Sequence, residues 1–464
     1  MKPSPISQIS KVCVLVPLLA VITAMAGSGC ATKNLKTGHD ASKAEVLPLV
    51  GTIQVHRYKL DNGLKVLVVE DHSSPTFAYQ TWFRVGSRDE NVGYTGLAHL
   101  FEHMMFKGTK SLKEGEFDRI LEGAGAEGEN AFTSRDYTAY VQEMPADKLD
   151  MIAKLESDRM LNLVVNDDSF KTEREVVQNE RRFRTENSPD GLMYQEIFGL
   201  AFTKHSYHWP VIGYQEDLNR MSAANAVDFY KGYYSPNHAT IIVVGDVKAD
   251  AVHEMVKKYY GAFSPQQPPA PSIADEPEQK SARRKVLKLN IQVEKLMVGY
   301  HTPAITNADI PAIMALRGVL ATGKSSRLQR ALVETGIVSS VDAYDIDDKD
   351  PSLMLIGANL QKGKTATQAE TIILREIARL SKELVSKGEL DRAKNGLSFQ
   401  FYQGLDNNHE KAGFLGRFET IANSFEDGVQ KMKSVQIVTP EEIQRVTRKY
   451  FEPRNRSVIV GVKK

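Results

Sequence analysis

Two histidines four residues apart with a glutamate beside the second, His99, Glu102 and His103, stand in Gly96-Leu97-Ala98-His99-Leu100-Phe101-Glu102-His103-Met104-Met105. On a helix, positions i and i+4 lie one above the other on the same face, so both imidazoles can turn toward one ion. The spacing is H-x-x-E-H, the reverse of the H-E-x-x-H zinc motif, in which the histidines ligate metal and the glutamate acts as general base. Leu97, Ala98, Leu100, Phe101, Met104 and Met105 make the stretch apolar almost all round, the mark of a helix buried in a large domain. Charged groups are costly there unless paired or bound to metal. The competing reading, two hydrogen-bonded and inert core histidines, leaves two imidazoles and a carboxylate on one short segment without a shared partner. The metal reading is preferred.

Catalytic zinc takes three protein ligands and keeps a fourth position for water, so a carboxylate is still needed. The helical stretch Ser169 to Thr185, opened by Asp167-Asp168-Ser169 as acidic N-cap material, offers Glu173, Glu175 and Glu180. The seven-residue step from Glu173 to Glu180 is two turns and puts both on one face, while Glu175 points elsewhere.

With 464 residues, 42% of them hydrophobic and 25% charged, the chain has ample material for a soluble protein of two or more domains. Its net charge of +1 and the lack of a basic stripe argue against a nucleic-acid partner. Lys2 and Lys11 followed by the apolar run Val12 to Ala26 read as an export signal, too short for a comfortable membrane span. Ala24-Met25-Ala26 offers a cleavage site. Gly27-Ser28-Gly29-Cys30 resembles a lipobox with Gly27 in the usual Leu place, so a lipid anchor on Cys30 is the competing fate. Either fate takes the protein out of the cytoplasm, to the periplasm or an outer-membrane tether in a Gram-negative bacterium. Cys13 and Cys30 are the only cysteines, so the mature body has no intrachain disulfide.

Along the chain, Thr52 to Val69 reads as two strands around the turn Asp61-Asn62-Gly63, Phe77 to Val85 as a strand, Gly115 to Gly123 as a helix and Phe132 to Gln142 as a strand. Ala146 to Asn162 carries helical periodicity. Met221 to Tyr233 reads as a helix capped by Ser222, and Ala239 to Gly245 as a buried strand. That last order recurs near the C-terminus at one offset of 217 residues, Tyr233 matching Tyr450 and Thr240-Ile241-Ile242-Val243 matching Ser457-Val458-Ile459-Val460. The expected fold class is α+β: two related α/β halves, each a mostly antiparallel sheet with helices packed on it. The expected divisions are a signal segment over 1–30, a polar tether over 31–51, a zinc-bearing domain over 52–263, a surface linker over 264–284 and a non-catalytic domain over 285–464.

The sequence resembles the pitrilysin-type metallopeptidases, which include insulin-degrading enzyme and the mitochondrial processing peptidase. Gly86-Ser87-Arg88-Asp89-Glu90, then Gly96 to Thr109, then Glu173 to Glu180 stand in that family's order and separation. The resemblance implies one Zn²⁺ per chain on His99, His103 and Glu180, the last standing 77 positions after His103. It implies Glu102 as general base, with Glu173 as a supporting acidic member of the catalytic set. Asn130-Ala131-Phe132-Thr133 resembles the edge strand on which an extended peptide adds through backbone hydrogen bonds, giving Asn130 and Ala131 as substrate-binding residues. His205 and His208 match a family segment as packing residues.

One departure stands out. Processing-peptidase relatives carry an Arg and a Tyr in the second half, where this chain has Val333 and Ser339. In relatives built as two different subunits, the zinc-bearing chain lacks that pair and a metal-free homologous subunit supplies it, which implies a heterodimer enclosing a chamber around peptide substrates. The alternative is a catalytically inert chamber or assembly subunit that keeps the fold.

Overall fold

The computed structural model describes residues 44–269 and 273–464, and every count below refers to them. The signal segment, Cys30 and the tether up to residue 43 lie outside the described residues.

The strands are β1 (Glu45–Pro48), β2 (Gln54–Lys59), β3 (Lys65–Glu70), β4 (Thr76–Phe83), β5 (Glu127–Thr133), β6 (Thr138–Pro145), β7 (Ala239–Gly245), β8 (Arg283–Leu289), β9 (Lys295–Thr302), β10 (Val338–Asp345), β11 (Ser352–Leu360) and β12 (Arg456–Lys463). They form a seven-stranded sheet in the order β1-β2-β3-β7-β4-β6-β5 and a five-stranded sheet in the order β10-β11-β9-β12-β8. Read from β5 and from β10, the two orders are the same design, and the first sheet adds the hairpin β1-β2 at its far edge. In each, one parallel pair (β3 with β7, β8 with β12) stands among antiparallel neighbours. The two α+β halves expected from the repeat are therefore present.

Central strands are buried on both faces, which is why β7 runs apolar from Ile241 to Val244. Ile241 and Val243 turn to one face with Val66, Val68, Phe77 and Tyr79, where the helix Leu97–Met104 inserts Leu97, Leu100, Phe101 and Met104. Ile242 and Val244 turn to the other face with Leu67, Val69 and Trp82. That face is covered by Ala412 and Leu415 of Asn408–Ile421 and by Phe425 and Val429 of Phe425–Ile437, helices from the second half. The exchange is mutual. Helix Pro189–Ala201 of the first half lays Met193, Ile197 and Phe198 on Leu289, Met297, Leu355 and Ile459 of the second sheet. Each sheet thus buries one face with a helix layer of its own half and the other with helices lent by its partner half.

Four sequence expectations are corrected. Glu45–Pro48, expected within the tether, is a strand paired antiparallel with β2, and the adjoining Leu49 is buried. Phe132 to Gln142 is two strands rather than one: the polar Ser134-Arg135-Asp136 makes a turn, closed by the Ser134 amide donating to the Tyr137 carbonyl at 2.7 Å. The helix carrying Glu173 and Glu180 begins at Asp167, and its N-cap is Asn166, whose side chain accepts from the Ser169 amide. The linker over 264–284 is tied down where it is described. Glu276 accepts from the Thr203, Lys204 and His205 amides, Gln279 donates to the Arg454 and Arg456 carbonyls, and β8 starts at Arg283.

Candidate metal centre

The helix Leu97–Met104 begins where two glycines let backbones touch. Gly96 has φ 93°, and a Cβ there would come 2.5 Å from the Ile212 carbonyl oxygen; Gly213 has φ 78°, and a Cβ there would come 2.1 Å from the Thr95 oxygen. Only glycine allows both the left-handed backbone and the close approach. The buried Glu90 carboxylate then accepts from the Gly96 amide at 2.9 Å and the Ala98 amide at 2.8 Å, satisfying N–H groups that a helix start leaves free. Burial pushes Glu90 well above the usual carboxylate range against those bonds. The first turn is thereby fixed, and with it the direction of His99.

Helix Asp167–Arg181 packs against this one and brings both expected glutamates to it. Glu180 Oε2 lies 3.3 Å from His103 Nε2 and 3.7 Å from His99 Nε2. Tetrahedral ligands at zinc–ligand distances near 2.0–2.2 Å stand roughly 3.3–3.6 Å apart, so Glu180 Oε2 lies at about the separation from each imidazole nitrogen that a shared zinc-sized ion requires. The other Glu180 oxygen is held by Arg184 at 2.9 Å. Glu102 also offers an oxygen within 4.8 Å of the two imidazoles. Its Oε2 accepts from the Thr133 hydroxyl, and among the described residues no lysine or arginine forms an ion pair with it, Arg184 acting only from farther off. Burial raises its pKa, the Thr133 bond opposing.

Glu173 stands behind His103 rather than in front of it. Its Oε2 is 3.2 Å from His103 Nδ1, and its Oε1 accepts from Lys107 Nζ at 2.7 Å. A carboxylate in that place suits a positioning role, setting which imidazole nitrogen faces the cavity, as carboxylates commonly do for metal-bound histidines. This refines the sequence reading, which grouped Glu173 with the catalytic set. Glu175 is exposed, as expected.

The two histidines respond oppositely to this setting. Burial and the neighbouring His103 push His99 down to about 4. Burial would lower His103 as well, but the Glu173 and Glu180 carboxylates outweigh it and raise the ring to about 9. Two imidazoles with centroids 4.9 Å apart share one carboxylate oxygen, an arrangement that calls for a cation between them. The donor set fits a metal.

These groups line a cavity of about 710 Å³. Asn130 and Ala131 stand on its wall in β5, the edge strand of the first sheet, pairing with Val141 and Tyr140 on one side only. Every lining residue comes from the first half; the described cavity is a cleft, not a chamber closed by both halves. Val333 packs on the second half's core, and the Ser339 hydroxyl donates to the Asn359 carbonyl, so neither reaches the cavity. His205 bonds Asp350 at 3.0 Å and His208 bonds the Phe202 carbonyl at 2.6 Å, in the packing roles expected of them.

Glu90, Lys107, Thr133 and Arg135 belong to the site or its frame and were not assigned from sequence. Thr133 was within reach, since it ends the edge-strand motif. The others depend on which loop the fold brings beside the helix.

A family model described as Insulinase (Peptidase family M16) matches residues 65–207, and one described as Peptidase M16 inactive domain matches 220–397. A Helicobacter pylori protein named zinc protease PqqE is 33% identical over 401 residues, covering 85% of this chain and 89% of its own. The crystal structure of a protease from Helicobacter pylori matches with a TM-score of 0.84 at 31% identity, over 88% of this chain and 99% of that one. The periplasmic protease PqqL from Escherichia coli matches with a TM-score of 0.73 at 19% identity, over 90% of this chain but 48% of that one.

Proposed function

The chain belongs to the M16 peptidase family, and on that premise we propose that it is a zinc-dependent endopeptidase, with one ion held by His99, His103 and Glu180 and with Glu102 as general base. The observation that carries this reading is the placement of Glu180 Oε2 at 3.3 and 3.7 Å from two imidazole nitrogens, with Glu102 beside them.

A zinc ion with three such ligands supplies Lewis-acid polarisation of a carbonyl and water acidified toward a pKa of about 7. The chain supplies the rest. Glu102, oriented by Thr133, takes a proton from the attacking water on its free oxygen and returns it to the leaving amine, a role worth roughly 10²–10⁴ in rate. Glu173 and Lys107 hold His103 in one tautomer, and Arg184 holds Glu180. The free edge of β5 at Asn130 and Ala131 takes an extended peptide as an added strand. The match described as inactive spans chiefly the half without the histidine motif, in keeping with one centre per chain.

The test is hydrolysis of a quenched peptide library. The zinc-loaded chain is expected to cleave it, activity to vanish on chelation and return with zinc, and Glu102→Gln to keep zinc while losing turnover. A zinc-loaded chain inert toward all peptides, with or without added subunits, would contradict the assignment and favour the inert subunit.

A pairing with a homologous metal-free subunit that supplies the missing Arg and Tyr is part of the same proposal. Its support is that the cleft is walled by the first half alone and that PqqL, which this chain matches over 48% of its length, is about two such modules long. The chain alone should cleave poorly and gain activity on mixing with such a subunit; full activity as a monomer would remove the need for one. The segment Lys2 to Cys30 supports work outside the cytoplasm, and Cys30→Ser is expected to move the chain from the membrane to the soluble periplasmic fraction.

A further inference from the structure

Arg135 lies in the turn after β5 and lines the cleft beside the metal donors. It is only 5% exposed. The other deeply buried arginines have carboxylates within ion-pair distance: Arg88 has Asp350 at 2.6 Å, Arg159 has Glu156 at 2.6 Å, Arg327 has Glu389 at 2.9 Å and Arg181 has Glu186 at 3.5 Å. Arg135 has no ion pair among the described residues. Its Nη1 donates to the Tyr194 hydroxyl at 3.2 Å, and its buried Nε has no partner. Asp348 acts on it from beyond ion-pair distance, adding to Tyr194 in favouring the charged form against burial, and is itself bonded to Ser352.

The guanidinium is nonetheless held in one plane. It stacks 3.6 Å above the Phe198 ring and lies 5.5 Å from the ring of Tyr194, both of which also line the cleft. A buried charge without a counter-charge is unfavourable unless something else supplies one. A planar fork fixed by aromatic stacking and open to a cleft is suited to a carboxylate. Arg135 also stands two residues after Thr133, which bonds Glu102, so a group held there sets the register of a bound peptide against the general base.

We propose that Arg135 is the receptor for a carboxylate of the bound peptide, either an acidic side chain near the scissile bond or the C-terminal carboxylate. This rests on the peptidase reading of the same cleft. It makes the enzyme selective for acidic or C-terminal segments, although strand addition at β5 reads only backbone.

The probe is a set of labelled peptides based on one cleaved sequence, with Glu and Gln placed at each position in turn and the C-terminus as free acid or amide. Binding is measured by anisotropy on zinc-loaded Glu102→Gln protein and cleavage on the unaltered enzyme. One position, or the terminus, is expected at which the carboxylate binds about tenfold or more tightly than its isosteric amide. The advantage should appear in KM more than in kcat. Arg135→Met should bring that ratio to about one and Arg135→Lys should keep part of it. Because Arg135→Met replaces an unpaired buried charge with apolar volume, its Tm should hold or rise. A purely structural Arg135 would instead lower Tm and leave the ratio unchanged. A wild-type chain that shows no carboxylate preference while cleaving, or a preference that survives Arg135→Met, overturns the proposal and spares the peptidase reading. Carboxylate-dependent binding without any cleavage does the reverse.

Discussion

The two halves place the same pair of packed helices against the same face of the same sheet, and fill the seam in opposite ways. In the first half Leu97–Met104 packs on Asp167–Arg181; in the second, Ile310–Ala321 packs on Lys387–Gln403. At the repeat's offset of 217 residues, His99, Glu102 and His103 correspond to Leu316, Val319 and Leu320, and Glu173 and Glu180 correspond to Leu390 and Leu397. All five residues of the second half are buried. There Gly318 lets the helices close until a Cβ would meet Ala393 Cβ at 2.8 Å. Hydrocarbon is what packing alone selects at this seam. Five ionisable groups stand at the equivalent places in the first half, where burying such groups is costly, and their gathering round one point calls for chemistry.

Exchanging residues between the halves breaks the comparison at its strongest point. His99→Leu, which writes Leu316 into the first half, should abolish zinc binding and peptide cleavage together, read by metal analysis and the quenched-peptide assay. Its metal-free Tm should hold or rise, since the buried His99 Nδ1 has no hydrogen-bond partner and leucine carries no such penalty. Next in size is Glu102→Gln, expected to lower turnover by roughly 10²–10⁴ with zinc retained. Writing the first half into the second gives a stability effect without an activity of its own. Leu397→Glu puts a carboxylate at a buried leucine position and should cost several kcal/mol in urea unfolding, by the usual penalty for an unpaired buried charge.

The smallest effect concerns the seam between the halves. Lys411, on a second-half helix, donates to Asp71 after β3 and holds that carboxyl down to about 2. An unfolded aspartate titrates near 3.9, so the folded value is the lower one. The pair therefore contributes stability above about pH 4 and loses it as pH falls toward 2. Lys411→Met should flatten the acid limb of stability between those values; an unchanged limb would show that the clasp is apolar only.

What sequence could show was local. His99, Glu102 and His103 are legible because their spacing is itself a geometry. Glu180 followed from resemblance, and the repeat of helix and buried strand disclosed two halves. The hairpin β5-β6 was read as one strand because Phe132 and Tyr137 to Gln142 keep an alternating pattern across a turn of only a few polar residues. The tether hid β1 because Glu45-Val46-Leu47-Pro48 is too short to show a period and joins a sheet only when β2 is there to pair with. The mutual lending of helices was out of reach: periodicity shows that Asn408–Ile421 has an apolar face, not which sheet that face covers. Glu90, Lys107 and Arg135 become site residues only through tertiary placement.

Anomalous diffraction at the zinc edge from crystals of the zinc-loaded chain tests the central claim most directly. The account predicts one strong peak per chain, within bonding distance of His99 Nε2, His103 Nε2 and a Glu180 oxygen, with Glu102 outside the ligand set. A peak that takes Glu102 in place of Glu180, a peak elsewhere in the chain or no peak at all would contradict it.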